Sequence, residues 1–281
     1  MSVTFKHSGH LGDIVYALPA MRTIARQCGV RVTLYIPNDV DSGYGPERRH
    51  PAGDKMIDDA TFDFVAPLLR SQAYIEAVHF VPGNEIPCDA VNFDAFRGGS
   101  VNVLAGNIKD YYFKIFALLA ESPSRWLKRS GAVHSYAKPY DILIGRSMRY
   151  LNQAIDYGVL AQLDLRIGFI GLESEFTEFR SRFPSLPIEH VPTRHAQDAC
   201  DRIAEASLFI GNQSVFFAIA EGLQSNRLLE VFEPVPNVVP SGGRTGQFLT
   251  TAGLARLVSA FFSRTITLPD PDAALRSEYM H

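Results

Sequence analysis

Two glycine-containing turns, far apart in the chain, most constrain its fold. The first is Ser8-Gly9-His10-Leu11-Gly12-Asp13, directly after the apolar run Val3-Thr4-Phe5. The second is Gly211-Asn212-Gln213-Ser214, directly after Ser207-Leu208-Phe209-Ile210. Each follows a run with the length of a buried strand and opens a stretch with helical spacing. A helix that starts straight after a strand aims backbone N–H groups and the positive end of its dipole at one point, where phosphates and other anions bind. Two such points, one near each end of the chain, predict two α/β lobes with a cleft between them.

The rest of the chain alternates in the same way. Strands are expected at 3–7, 30–36, 77–81 and 89–93, with helices at 13–28, 60–72 and 110–119. Pro19 falls inside the first helix, which either kinks there or becomes regular from that point. The breaker-rich stretch 130–139 reads as a linker. Beyond it, strands are expected at 141–145, 165–171, 187–191, 207–210 and 227–232, and helices at 152–163, 176–182, 196–206, 215–222 and 250–262. The expected units are an N-terminal lobe over 1–134, a C-terminal lobe over 135–262 and a tail over 263–281. Alternating strands and helices imply parallel sheets covered on both faces, with ligands beyond the carboxyl ends of the strands.

Composition narrows the function classes. The 281 residues are 46% hydrophobic and carry a net charge of −3, so no global field draws the chain to nucleic acid or membrane. No segment approaches the ~18 apolar residues of a membrane span. Cys28, Cys88 and Cys200 lack metal-ligand or CxxC spacing and read as reduced, mostly packed residues. With no secretory leader pattern at the N-terminus, a cytoplasmic location is expected.

Several residues could carry chemistry. Gly9-x-x-Gly12-Asp13 is neither the GxGxxG of dinucleotide folds nor a Walker A loop. Asp13 at a helix start is a favourable charge near the dipole, or a base facing the cleft. His10 stands beside it, able to touch a second substrate; His7 reads as a strand-end histidine. Gly211, Asn212, Gln213 and Ser214 offer donors for a diphosphate, or caps for the following helix. Arg146, Ser147 and Arg149 follow the first strand of the second lobe, where arginines neutralise phosphate or lie solvated on a loop. Glu175 follows the next strand, able to accept hydrogen bonds from ribose hydroxyls or to favour a helix start. Asp39-Val40-Asp41 and Asp270-Pro271-Asp272 are short acidic matches expected by chance, and the histidine spacing argues against zinc, so no metal site is expected. Arg48-Arg49-His50 reads as solvated loop.

Leu11-Gly12-Asp13 with Ala17-Leu18-Pro19-Ala20-Met21-Arg22 resembles the opening of the ADP-heptose:lipopolysaccharide heptosyltransferases, glycosyltransferase family 9. Ala204-Glu205-Ala206-Ser207-Leu208-Phe209-Ile210-Gly211-Asn212 resembles that family's diphosphate segment, and Gly171-x-x-x-Glu175 its ribose-contacting region. The resemblance implies a GT-B architecture and an inverting, metal-independent sugar transfer with no cofactor beyond the nucleoside diphosphate sugar. It makes Asp13 the general base; His10, flanking the first turn, is the expected acceptor contact. It assigns Gly12, Arg146, Ser147, Arg149, Glu175, Gly211, Asn212, Gln213 and Ser214 to the donor. The implied partners are a nucleotide-sugar donor and a glycan acceptor, or less favoured a hydroxylated base in modified DNA. The chain departs from the family's Asp-Thr/Ser-Gly turn and following His, with Asn212, Gln213, Ser214 and Phe217 at those positions. Rival readings are a nucleotide-sugar epimerase or hydrolase on the same fold, and a sugar-nucleotide-binding protein without catalysis.

Overall fold

Most of the short strands hand over to a helix, and this repetition builds two parallel sheets. The computed structural model describes residues 2–43, 53–99, 101–119, 122–130 and 139–268. The N-terminal part holds β1 (Ser2–Lys6), α1 (Leu11–Cys28), β2 (Arg31–Pro37), α2 (Asp59–Arg70), β3 (Ile75–Val81), β4 (Val91–Asn92) and α3 (Ile108–Ile115). The C-terminal part holds β5 (Ile142–Gly145), β6 (Ile167–Phe169), α4 (Glu173–Arg182), β7 (Ile188–His190) and α5 (Ala196–Glu205). It continues through β8 (Leu208–Gly211), α6 (Val215–Leu223), β9 (Arg227–Glu230), β10 (Thr245–Phe248) and α7 (Thr251–Phe262).

The first sheet has the order β3-β2-β1-β4 and the second β10-β9-β8-β5-β6-β7, all pairs parallel. In each sheet the order reverses direction at one point: between β1 and β4, and between β5 and β8. Loops leaving neighbouring strands at such a point diverge to opposite faces and leave a crevice, where ligands of open α/β sheets sit.

The apolar core does not stop at the lobe boundary. Phe5, Leu18 and Val65 share one buried cluster with Ala199, Phe217 and Ala220. Its inter-lobe seams are α1 against α6 and α2 against α5. A second cluster, including Tyr157, Phe169, Phe179 and Val258, lies within the C-terminal lobe.

Four expectations need correction. Residues 152–163 do not form an α-helix. Asn152 Oδ1 accepts Ala154 N–H (3.1 Å) and Asp156 Oδ1 accepts Gly158 N–H (2.7 Å), and only a 3₁₀ turn follows at Tyr157–Gln162. Such local side-chain bonds compete with the helical ladder. The strand β10, parallel to β9, has no counterpart in the sequence reading, because Gly246 interrupts its alternation. Helix α1 begins at Leu11 and runs through Pro19 without a break. Cys200 is buried as expected, but Cys28 and Cys88 are exposed. The linker core at 131–138 with the 134/135 boundary, Arg48-Arg49-His50, and the tail beyond 268 with Asp270-Pro271-Asp272 lie outside the described residues. No helix among the described residues is long and apolar enough to cross a membrane.

Candidate active site

The two sheet crevices face each other across one cavity of about 480 Å³. From the N-terminal lobe it is lined by His10, Gly12, Asp13 and Arg97, and from the C-terminal lobe by Arg149, Tyr150, Gln213 and Ser214. Mostly apolar side chains, with Tyr16, Tyr111 and Asn237, complete the walls. The starts of α1 and α6 touch here: a Cβ on Gly12 would lie 3.7 Å from Val215 N and 3.8 Å from the Ser214 carbonyl carbon. The first-turn N–H groups of a helix have no partner inside it, so two positive dipole ends converge on the cavity.

Asp13 sits in the first turn of α1 and is held from several sides. Its Oδ2 accepts Arg97 Nη2 at 2.8 Å, and Arg97 Nε lies 3.6 Å from Asp94 Oδ1. Burial alone would disfavour the guanidinium charge, but Asp13 and Asp94 outweigh it and raise the Arg97 pKa. Asp94 Oδ2 accepts Ser8 N–H (2.8 Å) and Ser8 O–H (2.7 Å), which fixes the turn before α1. Behind it, His7 Nδ1 accepts Gly9 N–H at 2.9 Å, so its proton is on Nε2, 2.8 Å from Tyr112 Oη. Tyr112 in turn donates to the Asp13 carbonyl at 3.1 Å. Burial lowers the His7 pKa and keeps this relay neutral. His7 is thus a strand-end histidine, as its position suggested. Gly9 is required here: a Cβ would lie 2.7 Å from Arg97 Nη2 and 2.8 Å from Asp13 Oδ2.

His10 also lines the cavity. Its Nδ1 is 3.1 Å from the Met56 carbonyl, and burial, with Arg149 nearby, lowers its pKa to about 4. It is a neutral imidazole at pH 7.

Opposite, Arg149 and Tyr150 ride on the loop after β5. Tyr150 has φ +53°, the left-handed region that a tyrosine enters only when its surroundings compel it. Asn212, fully buried, supplies the compulsion. Its Nδ2 donates toward the carbonyls of Ser147 (3.0 Å), Arg149 (2.6 Å) and Tyr150 (3.3 Å), and its Oδ1 accepts Ser147 N–H (3.0 Å). Gln213 Nε2 donates to the Val235 carbonyl (2.8 Å) and to Asn237 Oδ1 (2.9 Å), while Ser214 caps α6 by accepting Phe217 N–H (3.5 Å).

Five of the residues read as donor contacts are outside the cavity lining and build the wall behind it. Arg146 is buried in a two-pronged pair with Glu230 (2.7 and 3.1 Å), which anchors the base of the Arg149 loop. Ser147 and Asn212 spend their polar groups on each other and on that loop. Gly211 ends β8, where a Cβ would strike the Gly145 carbonyl at 2.5 Å; packing of the sheet demands this glycine. Glu175 accepts the Leu172 N–H (2.9 Å), with Met148 N–H as a second donor, and burial raises its pKa nonetheless. Asp39, half of the DxD match, accepts Gly83 N–H with both oxygens at 3.0 and 2.9 Å and serves as a turn cap.

Arg97 is not among the candidates that the sequence offers. The available signal was position: it follows β4, the strand beside β1, and side chains beyond adjacent strand ends meet at the crevice. Val235, Asn237 and Val238, from the loop between β9 and β10, were likewise unread.

No family model and no curated protein sequence matches the chain. Solved structures do. The E. coli heptosyltransferase WaaC with ADP-2-deoxy-2-fluoro heptose superposes with a TM-score of 0.58 at 10% identity, covering 94% of this chain and 99% of that one. The E. coli ADP-heptose lps heptosyltransferase II gives 0.60 at 11% identity with the same coverage, 94% and 99%. A glycosyl transferase family 9 protein from Veillonella parvula DSM 2008 gives 0.52 at 10% identity, covering 95% and 90%. At this identity the likeness establishes the fold: two facing parallel α/β lobes in the GT-B arrangement of these transferases.

Proposed function

We propose that this protein is an inverting glycosyltransferase that moves a sugar from a nucleoside diphosphate to an acceptor hydroxyl, with Asp13 as general base. The observation that carries the reading is one cavity holding a positioned carboxylate on one lobe and a helix start with an arginine on the other. Arg97 engages Asp13 Oδ2 and fixes the rotamer, leaving Oδ1 to take the proton as the acceptor oxygen attacks the anomeric carbon. Arg97 also faces Asp94, so it keeps a counter-charge when Asp13 becomes neutral. The bond from the anomeric carbon to the diphosphate oxygen breaks on the opposite side. The start of α6, Ser214 and Arg149 would take up the charge of the departing diphosphate, and the reading assigns this task to no metal ion. His10, neutral and beside Asp13, is assigned to the acceptor.

The test has two parts. A thermal-shift panel of nucleoside diphosphates should return one that stabilises; at 100 times Kd the gain is about 2.7 kcal/mol. With that donor, Asp13→Asn should retain nucleotide binding and lose transfer by ~10²–10⁴, the usual contribution of a general base. Transfer at the wild-type rate would remove Asp13 from the mechanism. Nucleotide binding with no transfer in either protein would favour the binding-protein reading instead.

A further inference from the structure

The cavity is chemically two-sided. Around Asp13 and the helix starts it is polar; the remaining wall on the N-terminal lobe is formed by Phe96, Val103, Leu104, Ile108 and Tyr111, with Val238 across from them. Phe96 and Tyr111 pack at 5.8 Å between ring centroids and are buried. Val103 and Leu104, by contrast, are 38% and 57% exposed. Aliphatic side chains left exposed on a cavity wall give a bound molecule apolar surface to cover.

This apolar lip is built. The Tyr111 hydroxyl donates to the Ala105 carbonyl, and Asn102 Oδ1 accepts Leu104 N–H at 3.0 Å. The other lobe clamps it as well: Asn237 Nδ2 donates to the Val103 carbonyl at 3.0 Å, and the Asn237 carbonyl accepts Ile108 N–H at 2.8 Å. Both lobes therefore spend hydrogen bonds on presenting two aliphatic side chains at the mouth of the cavity.

Among the described residues that line the cavity, the cations are Arg97, engaged by two carboxylates, and Arg149, on the diphosphate side. An anionic acceptor would meet the Asp13 carboxylate and an apolar wall. Resting on the glycosyl-transfer reading above, we infer that the acceptor carries an aromatic or aliphatic group next to its reacting hydroxyl, and that this group lies against Phe96, Val103 and Leu104. The geometry requires proximity: the hydroxyl must come within hydrogen-bond reach of Asp13, so whatever is attached to it occupies the same cavity.

Two probes of equal sugar content separate the possibilities: phenyl β-D-glucopyranoside and glucose 6-phosphate, followed by ligand-observed NMR on the full chain saturated with its nucleoside diphosphate. The phenyl glycoside should bind more tightly than the phosphate. Leu104→Asp and Val103→Asp, both at exposed positions, should each weaken it roughly tenfold or more while nucleotide affinity stays unchanged. Equal or tighter binding of glucose 6-phosphate overturns the inference, as does a phenyl glycoside that does not bind or ignores both substitutions. Nucleotide binding is read on the same samples. If no nucleotide binds, the glycosyl-transfer reading fails and this inference with it. If the nucleotide binds and the phenyl group is not preferred, only the acceptor inference fails.

Discussion

Asn212 stands where the resemblance leads one to expect a carboxylate, and its surroundings account for the amide. Three carbonyl oxygens converge on Nδ2 within 3.3 Å, and a carboxylate has no proton to offer them. Asn212→Asp should therefore destabilise the fold by about 2–4 kcal/mol, the cost of buried carbonyls left unpaired beside a charge. It should also free the Arg149 loop from its strained conformation. A denaturant midpoint equal to wild type would contradict this. Gly9 makes a second case. An added methyl would strike Arg97 Nη2 and Asp13 Oδ2, so Gly9→Ala should lower turnover more than stability, with kcat falling and nucleotide affinity intact. His10 gives a pH signature. Its folded pKa of about 4 lies below the ordinary 6.5, so the unfolded chain takes up a proton first as pH falls. Stability is intact above about pH 6.5 and declines toward pH 4, by about 3 kcal/mol for this one group. His7 is depressed by burial in the same direction. The difference in melting temperature between wild type and His10→Asn, followed from pH 7 to 4.5, isolates His10; identical slopes would show that it does not resist protonation.

At the scale of elements, the site depends on loops that strands and helices only aim. The loop between β9 and β10 brings Val235, Asn237 and Val238 to the cavity, and a buried pair anchors its far end. Arg227, fully buried, binds Glu221 and donates to the carbonyls of Ser241 (2.7 Å) and Gly242 (3.1 Å), while Glu221 accepts Ser241 N–H at 3.0 Å. Removing one partner strands the other, so Glu221→Ala should cost about 3–5 kcal/mol, and Glu221→Gln less, because the amide oxygen still accepts hydrogen bonds. Urea unfolding of both variants checks the order; equal losses would deny the charge its role. The contrast between these loops and the helices explains what could be read in advance. Buried strands and amphipathic helices carry their period in sequence, so β1 to β9 and α1 to α7 were visible, give or take their ends. Asp13, Arg149, Gln213 and Ser214, which line the cavity, were legible as candidates because each sits within a few residues of a strand end. Arg97 and Asn237 were not, since their place depends on strand order and on a long loop, neither of which has a period. Arg146 and Glu175, read as donor contacts, lie outside the cavity lining for a related reason. Position alone cannot tell an arginine that meets a phosphate from one that meets Glu230.

For the whole molecule, the decisive property is that the lobes share a core. GT-B folds are pictured as two bodies around a cleft, yet here α1 packs on α6 and α2 on α5 within one continuous apolar cluster. The segment approaching the second lobe is pinned as well. Trp126 and Leu127 N–H groups donate to the Gly222 carbonyl (2.9 and 3.1 Å), Arg125 Nε to the Leu223 carbonyl (3.0 Å), and Ser130 Oγ to the buried Asp201 (2.6 Å). Ser71 Oγ donates to Gln197 Oε1 at 2.6 Å, a further tie between α2 and α5. Hinged lobes require an interface that can part at low cost, whereas opening this one would expose the apolar seams of α1 with α6 and α2 with α5 and part Phe64 from Phe216, whose ring centroids lie 6.1 Å apart. The molecule should therefore respond to ligands as a single body. Calorimetry should give one unfolding transition whose van't Hoff and calorimetric enthalpies agree, and a saturating nucleoside diphosphate should shift that transition as a whole. Small-angle scattering should return the same profile with and without the nucleotide. Two resolved transitions, or a contraction on binding, would mean that the shared core parts in solution and that the cavity is completed only by closure.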